Sequence, residues 1–346
     1  MKAWKKVVSL AMAGTMTLGM SCGAVFASTS TVESVTESTA ESSSDWYGDV
    51  TRFAGKKYKI GYAPATLNNA FWLAVEDGAK EAIKDSGADV ELVEVDANAD
   101  QSQMNDGIAN LISDNVDAML IAPADSTAAV SAIKQCNDAG VPVVNFDTPI
   151  EDDSVDLVSI IASDNYNAGY VVGEDLASKM DDGAKILVFH SNRASACVQR
   201  LKGFKDALEK SGKKYTIVNE LDGYGDTEKT MTACNDALVA DPDLSAIFCV
   251  NDPSAMGAVQ SIQQTSVELK NDIMVYGVDG NPDAKKLIKS GEMEGTGSQS
   301  PETLGYDSLI AALMNLNGEE VESNIVVPTF LITADNVDQF GTDGWQ

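Results

Sequence analysis

Few residues in this chain are equipped for covalent chemistry. One histidine, His190, and three arginines, Arg52, Arg193 and Arg200, are spread through 346 residues, which removes most catalysis built on imidazole and every multi-histidine metal site. Cys22, Cys136, Cys197, Cys234 and Cys249 stand singly, without C-x-x-C spacing, so those beyond Cys22 read as buried free thiols rather than as a disulfide framework or a metal cage. The sequence has no glycine-rich phosphate loop and no nucleophile elbow, and neither a cofactor nor a metal is expected. What remains is a set of aspartates, amides and aromatics at the ends of apolar runs. Asp147 and Asp279 each close such a run before a proline-containing turn, which suits turn capping or ligand contact; as two carboxylates they would also suit acid–base work. Asn69 stands just before Phe71 and Trp72, where it can cap a helix or face a ligand. Asn251 and Gln299 end two further runs.

The elements that must position these residues alternate regularly. From Tyr58 onward, short apolar runs (59–62, 90–95, 118–121) alternate with segments of helical period (71–85, 103–113), the pattern of a parallel sheet covered by helices. It continues to about Val327, with glycines such as Gly140, Gly212 and Gly291 closing helices. The halves resemble each other: Gly78 and Gly203, like Gly87 and Gly212, are 125 positions apart in similar helix–turn–strand contexts. Two similar α/β domains follow. In open parallel sheets the ligand site lies beyond the carboxyl ends of the strands, where Asn69, Ala122, Asp147, Asn251 and Asp279 all fall. Two such edges facing each other would form a cleft.

The first 27 residues carry Lys2, Lys5 and Lys6, an apolar stretch and then small residues, a secretory signal. Cleavage after Ala27 would free the chain; lipidation of Cys22 would tether it. Residues 28–55, rich in Ser, Thr and Glu up to Asp45, read as a flexible tether. A net charge of −29 makes nucleic acid and anionic lipid poor partners. The expected place is outside the cell membrane, at the cell surface or in the periplasm.

Taken in order, Thr66-Leu67-Asn68-Asn69-Ala70-Phe71-Trp72, Pro123-Ala124-Asp125-Ser126, Ala162-Ser163-Asp164-Asn165, Val250-Asn251-Asp252, Gly277-Val278-Asp279-Gly280 and Gln299-Ser300-Pro301 resemble the ribose-type sugar-binding proteins, type I periplasmic binding proteins that serve ABC transporters. The resemblance runs from about Lys57 to Ile332. It implies two Rossmann-like parallel-sheet lobes joined by a three-stranded hinge, one formed by 56–163 with 300–327 and the other by 164–299 with 328–346, crossing near Ser163, Gln299 and Val327. It further implies a monomeric, non-enzymatic receptor that passes a sugar, polyol or furanose to an ABC transporter permease. A membrane sensor kinase or a quorum-signal furanose are the alternative partner and cargo.

By the same resemblance, Phe71 and Trp72 would pack on ring faces, Asn69 and Asp147 would bond hydroxyls from one lobe, and Asn251, Asp279 and Gln299 from the other. Four positions depart from the ribose-type pattern, with Ala65, Ala122, Thr148 and Val198 replacing polar residues. Each unpaired buried hydroxyl would cost about 1–3 kcal/mol, which argues against ribose itself. Ser191, Asn192, Arg193 or Tyr224 would have to compensate. Arg200 reads as structural, tying a helix to its lobe.

Overall fold

The computed structural model describes residues 46–346. The expected export signal, the anchor at Cys22 and the tether up to residue 45 lie outside the described residues. The strands β1 (Lys57–Ala63), β2 (Asp89–Glu94), β3 (Ala118–Ile121), β4 (Val143–Phe146) and β5 (Ser159–Ser163) form one sheet with β11 (Asn324–Val327), in the order β11-β5-β4-β3-β1-β2. A second sheet joins β6 (Ala184–His190), β7 (Tyr215–Asp222), β8 (Ala246–Cys249), β9 (Met274–Asp279), β10 (Gly295–Ser298) and β12 (Phe330–Thr333), in the order β12-β10-β9-β8-β6-β7. The strands β3, β4 and β8 are buried along their whole length, as parallel strands covered by helices on both faces must be. All pairings are parallel except β10 with β12. The apolar runs foreseen at 59–62, 90–95 and 118–121 fall on β1, β2 and β3.

The helices that matter for the site are α1 (Ala70–Ser86), α4 (Asn165–Lys179), α5 (Ser195–Ser211), α7 (Asp252–Gln264), α8 (Pro282–Ser290) and α9 (Pro301–Leu316); α2 (Gln101–Ser113), α3 (Val130–Ala139), α6 (Thr227–Ala240) and α10 (Val337–Phe340) complete the layers. The chain leaves the first sheet after β5 to form α4 on the second, returns after β10 to form α9 on the first, and passes again between β11 and β12. The repeat seen in the sequence has a packing reason. A Cβ at Gly78 of α1 would stand 1.9 Å from the Glu302 carbonyl oxygen of α9, and one at Gly203 of α5 would stand 2.0 Å from the Tyr166 carbonyl oxygen of α4. Gly305 and Gly169 answer from the opposite helices, against the carbonyls of Val75 and Arg200. Each sheet is thus covered by a helix pair in backbone-to-backbone contact. Both α1 and α5 end in a left-handed glycine, Gly87 (φ 65°) and Gly212 (φ 70°), the C-cap that glycine adopts without a Cβ penalty.

Residues 46–55, expected to close the flexible tether, are instead packed on the first sheet. Phe53 is fully buried in its core, Val50–Phe53 forms a 3-10 turn capped by Asp49, and Trp46 and Tyr47 lie against Tyr306 and its neighbours. Arg52 forms a forked ion pair with Glu319, at 2.7–3.0 Å. Three large aromatics in eight residues supply the apolar surface that packs this segment onto the sheet. No helix among the described residues is long and apolar enough to cross a membrane.

Close helix contacts make a direct prediction. Gly78→Ala or Gly203→Ala forces a methyl into a backbone carbonyl and lowers stability by about 1–3 kcal/mol, the usual range for overpacking, as read from urea unfolding midpoints. A wild-type midpoint in both variants would show that the helix pairs sit further apart.

Candidate functional site

The carboxyl ends of the two sheets face each other across a cavity of about 140 Å³. All nine residues singled out from the sequence line it: Asn69, Phe71, Trp72 and Asp147 from the first sheet's side, and Arg193, Tyr224, Asn251, Asp279 and Gln299 from the second. Bonds between the two sides close one rim. Ser126 N donates to the Arg193 carbonyl (3.0 Å), Ser195 N to Ser126 Oγ (3.1 Å), and Ser195 Oγ to the Pro149 carbonyl (2.5 Å).

Asn69 caps α1 by accepting from Phe71 N at 2.9 Å through Oδ1. The aromatics that follow are rooted in the core: Phe71 meets Trp72 edge-on (5.2 Å between centroids), Trp72 meets Phe146, and Phe146 stacks on Tyr62. Tyr62 donates its hydroxyl to the Trp72 carbonyl (2.8 Å). The two rings are thereby held at the cavity wall with 4% and 8% of their surface exposed.

Asp147 and Asp279, at the ends of β4 and β9, share an uncommon backbone, with φ of 56° and 142°. Non-glycine residues persist there only where their surroundings over-determine them, commonly at binding sites. The Thr148 hydroxyl donates to Asp147 Oδ2 (2.7 Å), while Asp147 Oδ1 is buried and accepts nothing from the described protein. Gln299 donates through Nε2 to Asp279 Oδ1 (2.9 Å), which fixes its amide and leaves Oε1 as a second buried acceptor with no donor among the described residues. Asn251 is engaged within its own side, donating to the Gly225 carbonyl (3.0 Å) and capping α7 through Ser254 N (3.2 Å). Tyr224 stands at the mouth, half-exposed, with the Arg193 guanidinium 4.9 Å and the Lys229 ammonium 4.4 Å from its ring centroid.

Arg200 was missed as a cavity residue. It does tie its helix down, donating from Nε to Asn165 Oδ1 (2.7 Å) and from Nη1 to the Val250 carbonyl (3.0 Å), but it also lines the cavity and pairs with Asp279 at 3.3 Å. It lies among three buried carboxylates. Burial pushes Asp147 up, Asp252 to about 6 and Asp279 to about 8; Arg200 opposes all three shifts, and the neighbouring acids add to that of Asp279. An arginine three places before Gly203 on the inner face of a helix was the available signal. Cys197 and Thr148 also line the cavity. Among the departures from the ribose-type pattern, Ala65 and Thr148 are cavity residues, whereas Ala122 is buried behind it and Val198 is 45% exposed on the outer side of α5. The loss of polar groups therefore rests on two positions rather than four. Of the compensating candidates, Ser191, Arg193 and Tyr224 reach the cavity and Asn192 does not.

Comparison with known proteins bears on the same residues. Residues 60–320 match the profile of the family described as periplasmic binding protein domain. The ribose import binding protein of Bacillus subtilis is 34% identical over 279 residues, covering 80% of this chain and 88% of that protein. Among solved structures, an ABC transporter solute-binding protein from Agrobacterium vitis with bound D-fucose superposes with a TM-score of 0.75 at 28% identity, covering 81% of this chain and 97% of the other. A second from the same organism, with bound α-D-tagatopyranose, gives 0.75 at 26% identity, covering 83% and 100%.

The buried acids set a pH dependence. A carboxyl whose folded pKa is raised adds stability at low pH and loses it as pH climbs through the folded value. With Asp252 raised from 3.8 to about 6 and Asp279 from 3.8 to about 8, the urea midpoint of the protein falls from about pH 4 to pH 8, both acids contributing up to about pH 6 and Asp279 alone above it. Asp279→Asn flattens that fall; an equal slope in the variant would place its origin elsewhere.

Proposed function

The chain belongs to the periplasmic binding protein family, and on that premise we propose that it is a receptor that takes a neutral monosaccharide or polyol between its lobes and delivers it to an ABC importer. The observation that carries this reading is the pair of buried acceptors, Asp147 Oδ1 and Gln299 Oε1, set on opposite sides of one small cavity beside the Phe71 and Trp72 rings. Buried acceptors without donors are costly, and a ligand rich in hydroxyls satisfies them. The apolar C–H faces of a sugar suit the rings. Asn69, with its amide nitrogen not used in the cap, adds a donor. Three buried carboxylates around one guanidinium disfavour an anionic ligand, so sugar acids and sugar phosphates are not the cargo.

The named relatives bind different sugars, and the ligand here is one other than ribose, because Ala65 and Thr148 supply less polar reach at the cavity wall. In this reading the two lobes, 56–163 with 300–327 and 164–299 with 328–346, close about the three crossings. The face around the mouth then docks on the permease. Export through the signal at 1–27 places the receptor outside the membrane, tethered if Cys22 carries lipid. No step of this function breaks a covalent bond.

Calorimetric titration against D-ribose, D-fucose, D-tagatose and myo-inositol, with D-glucuronate as the anionic control, tests the reading. At least one neutral compound binds with a Kd at or below the micromolar range. Asp147→Asn weakens that binding by about 10- to 100-fold, the loss expected when a hydrogen bond to a charged acceptor goes. Preference for glucuronate would sink the neutral-ligand assignment, and micromolar or tighter ribose binding would sink the exclusion of ribose.

A further inference from the structure

Beyond α10 the chain turns at Gly341 (φ 70°) and runs back toward the cavity. Lys285 of α8 is fully buried, and its ammonium donates to the Gly344 carbonyl at 2.6 Å. A buried ammonium needs a partner to be tolerated, so Lys285 fixes Gly344 to the second lobe. Gln346 Oε1 lies 3.2 Å from Ser298 Oγ and the same distance from where a Cβ on Gly280 would stand. Ser298 and Gly280 are the immediate neighbours of Gln299 and Asp279. Between these two anchors, Trp345 reaches the other lobe: its ring packs into the first sheet's core cluster and meets Phe71 edge-on, 5.7 Å between centroids at 82°.

We propose that residues 343–346 form a strap that joins the lobes without a covalent link, and that Trp345 is a positioning residue for Phe71. This rests on the receptor reading for what Phe71 does, but the strap itself does not. The carbonyl held by the second lobe and the ring seated on the first belong to consecutive residues. A single residue spans at most about 3.5 Å, so the lobes cannot separate without losing either the Lys285 bond or the Trp345–Phe71 contact. The strap therefore favours the closed arrangement and sets the orientation of one ring at the ligand wall. It also reports on both halves of the site at once, since its anchors flank Asp279 and Gln299 while its ring touches Phe71.

Two measurements on the purified full chain test this. Small-angle scattering without added ligand compares the wild type with Trp345→Ala, Lys285→Met and Trp345→Phe. The two disrupting variants show a larger radius of gyration, and Trp345→Phe keeps the wild-type value. Stopped-flow binding of whichever of D-ribose, D-fucose, D-tagatose or myo-inositol the wild type takes then separates the rates. Trp345→Ala raises the dissociation rate about 3- to 10-fold, the range an edge-on aromatic pair supports, with little change in association, and Trp345→Phe restores most of it. Unchanged scattering in both disrupting variants overturns the strap, as does unchanged dissociation in Trp345→Ala. If none of the four compounds binds the wild type, the sugar assignment fails while the scattering comparison alone decides the strap. Far-ultraviolet circular dichroism checks the folding of each variant first, and Lys285→Met, which keeps the length of the lysine chain, lets the scattering comparison decide the strap where truncating Trp345 does not fold.

Discussion

One buried guanidinium among three buried carboxylates organises the ligand side of the second lobe. Arg200 reaches Asn165 at the start of α4, the Val250 carbonyl at the end of β8, and Asp279 at the end of β9. Its charge makes it possible to keep acids in a dry interior, where an isolated carboxylate would be strongly disfavoured. The acids complete their shells with backbone and hydroxyl donors: Asp252 accepts from Asn281 N at 2.7 Å and from the Thr296 hydroxyl at 2.8 Å, and Asp279 accepts from Asp252 N at 3.3 Å. The tips of β8, β9 and β10 are thus pinned by one polar network. The first lobe has no arginine in the matching place, and there the aromatic series Tyr62, Phe146, Trp72 and Phe71 does the corresponding work through packing.

Much of this was legible in the sequence, for reasons that can be named. Alternation of apolar runs with helical period gave both sheets, since strands buried on two faces leave continuous apolar stretches. The paired glycines at 78 and 203 marked the repeat because close helix contacts admit no other side chain. Residues at strand ends converged on one cavity because parallel sheets put every carboxyl end on the same edge. What escaped depended on long-range partners. Arg200 and Asp279 are 79 residues apart, and helical period can turn Arg200 inward without naming the acid it will meet. Val198, read as a pocket position, is turned outward by its place on α5. At 46–55 the polar composition of the preceding stretch masked Trp46, Tyr47 and Phe53, whose spacing was the signal for packing. Asn251, read as a ligand contact from its strand-end position and the resemblance, lines the cavity while its amide also caps α7 and holds the Gly225 carbonyl.

The two lobes solve the same backbone problem twice. Asp147 and Asp279 both leave their strands with positive φ, and each thereby turns its carboxyl into the cavity instead of along the strand. Only a rigid setting sustains such a conformation, and both lobes supply it, by the Thr148 hydroxyl and buried Asn145 in one and by the Asp252 and Gln299 bonds in the other. The acceptors are therefore oriented before any ligand arrives, which lowers the entropy lost on binding.

The glycine contacts between helices also say how such a molecule can change over generations. Where α1 meets α9 and α5 meets α4 backbone to backbone, even a methyl group finds no room, so descent by small steps is closed at those places. The replacements that set this chain apart from the ribose-type pattern, Ala65 and Thr148, lie instead at the cavity wall, away from those helix contacts. A duplicated ancestor with its helices locked in pairs could pass on the frame intact while its rim diversified, one side chain at a time, toward new cargo.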